Sequence, residues 1–171
     1  MSAHNTHEEV DANLIENWID LDPRRFAAGA AAGIFAAFTS MAVAIIFAKT
    51  FMDDALFPVK VPAVPLLGNV ATDFNAPASV LLLGMGVHLL ICAVLGAIYA
   101  HFTATNKVKS LLGYGFVWGC FSWIFIFNLF SKSFMEIRAL NLHAGVGFIL
   151  MQTFGLSLAS KAFFDQFFRK N

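Results

Sequence analysis

Residues Phe26–Ala48, FAAGAAAGIFAAFTSMAVAIIFA, contain no Asp, Glu, Lys or Arg. At ~1.5 Å of rise per residue, a helix of this length crosses the ~30 Å hydrocarbon core of a bilayer. Three more uncharged apolar stretches follow, at about residues 78–100, 110–131 and 139–160, with Arg138 just outside the last. The backbone in lipid must satisfy its own hydrogen bonds, which such segments do as helices. The chain therefore reads as an all-α polytopic membrane protein, a four-transmembrane-helix bundle with an N-terminal amphipathic helix.

Composition agrees. Hydrophobic residues make up 58% of the 171 and charged residues only 13%, against about 25% charged in an ordinary soluble domain. Residues 1–23 form an acidic tail. Residues 24–162 form the membrane domain, with an outer loop at 49–77, and residues 163–171 form an interfacial tail. Glu8, Glu9, Asp11, Glu16, Asp20 and Asp22 stand in the first 22 residues with no Lys or Arg among them, and no basic face for nucleic acid is expected. Cys92 and Cys120 lie inside spans, outside any CxxC pattern, and read as packing residues. No basic n-region precedes an apolar h-region, so the first span is expected to stay as an anchor.

Orientation follows from Lys and Arg. With the N-terminus inside, Arg24, Arg25, Lys107, Lys109, Lys161, Arg169 and Lys170 are cytoplasmic, while Lys49, Lys60, Lys132 and Arg138 are outside. The bias favours both termini inside.

Two segments outside the spans look built to dock on protein. Val10, Leu14, Trp18 and Leu21 recur at helical spacing, widened by Ile15 and Ile19, opposite an acidic face. Helices that lie on anionic lipid carry Lys and Arg there instead. Leu14, Trp18 and Leu21 are therefore assigned to docking, on this bundle or on a partner. The outer loop carries Pro58, Pro62, Pro65 and Pro77 among Leu56, Phe57, Val59, Val61, Leu66 and Leu67. Its prolines argue against helix. Its apolar content suggests that it rests on the outer membrane surface or on a partner.

Every span has a row of small residues, which let helix backbones approach closely in lipid. Gly29 and Gly33 mark the first span. Gly84, His88, Cys92, Gly96 and Ala100 fall every four residues on the second. Gly115 and Gly119 mark the third, and Gly147, Met151 and Gly155 the fourth. A homo-oligomer through Gly29 and Gly33 is one consequence to consider.

Polar groups inside a membrane are costly and are functional candidates by default. Here they are His88, Asn128, His143 and Gln152, with Glu136 in the last outer loop. His88, His143, Asn128 and Glu136 form the candidate outer-leaflet site, for a quinone, a metal or a haem. His88 and His143 sit about 9 Å apart in depth by residue count, which counts against a bis-His haem. Interhelical hydrogen bonding is the plainer role. There is no HExxH, GxSxG or phosphate loop, and no carboxylate or proline within a span. Neither catalysis nor active transport by this chain alone is expected.

Gly86-Val87-His88-Leu89-Leu90 in the second span, a basic turn, and a third span opening with Leu111–Gly115 complete the pattern. This plan resembles the uncharacterised four-helix inner-membrane proteins of bacteria. The resemblance implies a bacterial cytoplasmic membrane and carries no activity. The expected function is a non-catalytic accessory subunit of a larger membrane complex, bound to lipid and to other subunits, with no cofactor of its own. The alternative is a protein that binds or conducts a small molecule at the His88/His143 site.

Overall fold

The structure, a computed structural model, describes residues 22–103, 105–130 and 143–170, with only the backbone of Phe127, Asn128, Phe130, Arg169 and Lys170. The protein is all-α, and among the described residues four helices are long and apolar enough to cross a membrane. They comprise α1 (Pro23–Phe51), α2 (Ala78–Phe102), α3 (Val108–Trp123) with a π-helical continuation over Ile124–Phe130, and α4 (Ala144–Ser157). A 3₁₀ turn at Leu158–Ser160 joins α4 to α5 (Lys161–Lys170).

Local chemistry sets the start of α1. Asp22 is extended (φ −74°, ψ 109°), as a residue before proline prefers, and its Oδ1 accepts the Arg24 N–H at 2.9 Å. Pro23 fills the first turn, where its missing N–H costs nothing. α1 therefore begins at Pro23, with Asp22 as its cap.

α1 packs on α2 and on α4, and α3 packs on α4. These contacts use the small-residue rows. A β-carbon on Gly29 would meet the Gly96 carbonyl oxygen at 2.5 Å, and one on Gly33 would run into the Cys92 carbonyl. Gly115 and Gly155 stand in the same relation across α3 and α4. A β-carbon on Gly119 would lie 2.8 Å from the Met151 carbonyl. α2 and α3 meet through larger side chains. Tyr99 and Trp118 have ring centroids 6.0 Å apart, and the Tyr99 hydroxyl donates to the Leu111 carbonyl at 2.8 Å. Ala32, Ala36, Ala37, Cys92, Tyr99, Leu111, Phe154 and Leu158 form the buried core. Ile46, Leu82, Leu90, Val117 and Phe121 are exposed, as lipid-facing residues are.

Two expectations need correction. The proline-rich loop is helical, in short pieces: α-turns at Phe57–Lys60 and Val64–Leu67, 3₁₀ turns at Val61–Ala63 and Gly68–Thr72. Pro58, Pro62 and Pro65 each take the first or second position of a new turn, where proline is compatible with helix. Their spacing restarts the helix instead of abolishing it. Gly68 then turns the chain with φ 66°. The second correction concerns span four. It was expected at 139–160 with a separate tail, but the helix begins after His143 and runs on through Lys161 and Asp165 to Lys170. These two charges are buried in packing, so they do not end the helix.

Candidate functional site: polar groups of the bundle

His88 faces the small-residue side of α2, as its spacing requires. Its Nε2 lies 3.3 Å from the Ala37 carbonyl of α1, and the Cys92 sulfur is 3.9 Å from the ring nitrogens. Two residues further along α1, towards its loop end, the Thr39 hydroxyl donates to the Ser157 hydroxyl of α4 at 2.8 Å. His88 thus sits at the depth of Ser157. His143 is the N-cap of α4, exposed, at the loop end. It precedes Ser157 by a helical stretch of about 21 Å at ~1.5 Å per residue. The two imidazoles are therefore set far apart in depth, and the candidate outer site does not assemble around both of them. The residue count underestimated this because it placed the start of span four too early.

The backbone of Asn128 lies in the π-helical segment, but its side chain is outside the described part of the molecule, as is Glu136. Leu14, Trp18 and Leu21 also lie outside the described residues. Among the described residues no group of three or more His, Cys, Asp and Glu is arranged to hold a metal ion. The glycine candidates lie as follows. Gly29, Gly33 and Gly96 are in the α1–α2 seam, Gly115, Gly119 and Gly155 in the α3–α4 seam, and Gly147 is buried on α4. Gly84 faces the proline-rich loop, where a β-carbon would run into the Val59 carbonyl. Gln152 donates to the Cys120 sulfur at 3.2 Å across the α3–α4 seam.

Three charges escaped the sequence reading as structural elements. Lys60 is 2% exposed. Its three N–H donors have three acceptors: the Asp54 carboxylate at 2.6 Å and the carbonyls of Asp73 and Phe74 at 2.8 and 3.2 Å. Asp54 also accepts the Leu56 N–H. A buried ammonium is tolerable only when paired and hydrogen-bonded, and here that requirement ties both ends of the loop together. At the other end of the bundle Lys161, also 2% exposed, donates to the carbonyls of Thr103 and Thr105 at 2.7 and 3.3 Å. These acceptors lie just past the C-terminus of α2, where carbonyls lack helical partners and a cation is favoured. Asp165, one turn further along α5, accepts from Asn106 Nδ2 at 2.5 Å. The readable signals were the i, i+4 spacing of Lys161 and Asp165 and the isolation of Lys60 in an apolar run.

The loop has two faces. Ala63, Val64 and Ala71 pack with Val80 against the start of α2. Leu66, Val70 and Phe74 are 63–70% exposed. No protein-family model matches this chain, and no match was found among curated proteins or solved structures.

Proposed function

We propose that the chain is a non-catalytic accessory subunit of a larger membrane complex, seated in a bacterial cytoplasmic membrane with both termini on the cytoplasmic side. One observation carries this reading: the outer loop is a stapled platform. Lys60 fixes it, Gly84 lets it approach α2 closely, and Leu66, Val70 and Phe74 stand outward on a folded segment. Fixing a loop in advance lowers the entropy lost on binding, and an apolar patch on such a loop suits a neighbouring membrane subunit. Support also comes from His88 and Gln152, which are engaged in contacts between helices. The separation of His88 from His143 lends nothing to a ligand shared by the two.

The test is to replace Leu66, Val70 and Phe74 together by Ser and purify the protein gently from its native membrane. The proposal expects co-purifying subunits to be lost while the isolated chain melts as before. Unchanged co-purification would remove the platform from the account.

A further inference from the structure

The proline-rich segment reaches down beside α2 instead of lying over its end. α1 and α2 keep one register along their seam: a β-carbon on Gly33 runs into the Cys92 carbonyl, and His88 meets the Ala37 carbonyl. Four residues further along, Gly84 comes level with Met41. Lys49 is exposed and is the first charge after the uncharged run of α1. It lies eight residues beyond Met41, about 12 Å at ~1.5 Å per residue. Yet the Val59 backbone touches Gly84 at that lower level, and Ala63, Val64 and Ala71 pack with Val80 just above it. Half of the ~30 Å hydrocarbon core is about 15 Å, so this depth falls inside one leaflet. We propose that residues 55–72 form a re-entrant segment, which enters the leaflet at this end of the bundle and sets Leu66 and Val70 against its acyl chains.

The chemistry of the segment suits that depth. Backbone inside a bilayer must be hydrogen-bonded or buried in protein. Pro58, Pro62 and Pro65 bring no N–H, and the Val61, Val64 and Gly68 N–H groups donate to the carbonyls of Phe57, Val61 and Val64. Between Ala55 and Thr72 the one charged residue is Lys60, with Asp53 and Asp54 before the segment and Asp73 after it. The Lys60 α-carbon lies at the deep point, 3.6 Å from a β-carbon built on Gly84. Its ammonium is carried back to Asp54 and to the carbonyls of Asp73 and Phe74, which precede α2. A lysine whose stem is sunk while its charge returns to the surface is the behaviour expected in lipid. Leu66 and Val70 are exposed on the other face. This inference does not rest on the subunit reading. A partner subunit would meet the same face inside the bilayer, whereas the chain alone meets lipid there.

The experiment uses the full-length chain, purified alone, in phosphatidylcholine nanodiscs. Single nitroxide labels are placed at Leu66→Cys and Val70→Cys in a Cys92→Ala/Cys120→Ala background. Lys49→Cys and the exposed Leu82→Cys of α2 are the references. Collisions with oxygen, which dissolves in lipid, are compared with collisions with a nickel chelate, which stays in water. At Leu66 and Val70 oxygen should dominate as at Leu82, with the ratio reversed at Lys49. In the unmodified chain, a phospholipid carrying a diazirine midway along its acyl chain should insert into residues 61–72 on illumination. Labels at Leu66 and Val70 as open to nickel as Lys49, labels shielded from both reagents, or no insertion into 61–72 would overturn the proposal. None of these readings depends on a co-purifying subunit, so loss of the platform reading would leave them unchanged.

Discussion

Gly33 and Gly96 approach so closely that a β-carbon on Gly96 would lie 2.7 Å from the Gly33 α-carbon. α1 and α2 therefore touch backbone to backbone, and the Gly29/Gly33 row is occupied within the chain. It is not left over for a second copy.

Gly96→Val should accordingly damage the bundle itself. Overpacking a filled contact costs about 1–3 kcal/mol, and more where the obstacle is backbone. Gly86 has nothing within 4 Å of a β-carbon. Gly86→Ala should be neutral, or stabilise by up to about 1 kcal/mol through helix propensity. Thermal unfolding in mild detergent checks the pair. Equal effects would contradict the seam.

Gly29→Leu with Gly33→Leu should lower folded yield and melting temperature rather than convert a dimer to a monomer. Light-scattering mass of whatever folds is the readout.

Lys161→Met removes the buried donor to the Thr103 and Thr105 carbonyls. Leaving buried acceptors unsatisfied costs about 1–3 kcal/mol. Lys109→Met, at an exposed position, should change stability by less than about 0.5 kcal/mol. Denaturant unfolding of the two variants reads the difference.

Lys60→Met should open the proline-rich loop while sparing the bundle. Hydrogen exchange across residues 57–72 should accelerate strongly, and α1, α3 and α4 should keep their protection. Asp54→Asn should act in the same direction but less, because the Asp73 and Phe74 carbonyls still hold the ammonium.

His88→Leu should cost about 1 kcal/mol or less, the worth of one interhelical hydrogen bond, without changing what the purified protein binds. A visible or ultraviolet absorption band that vanishes with His88 would contradict its assignment to packing.

Much of this architecture was legible from residue spacing. Hydropathy gave the four spans, Asp22-Pro23 the start of the first, and the four-residue rows the seams. The period placed His88 on the packing face of α2. What spacing could not give was the partner of each group. Gln152 and Cys120 meet only because α3 and α4 pair, and the depth gap between His88 and His143 depends on where α4 starts. The proline loop misled because a general penalty on proline was applied without asking which position in a turn each proline takes. Lys60 and Lys161 misled for a related reason. A charge normally marks the membrane boundary, and these two are buried against carbonyls that only the fold brings to them.

The central claim concerns assembly, so the most direct measurement is native gel electrophoresis of gently solubilised native membrane, with mass spectrometry of whatever migrates with this chain. The account predicts a band well above monomer mass with other membrane subunits in fixed ratio. Migration alone, at the mass of a monomer or a small homo-oligomer, would contradict it.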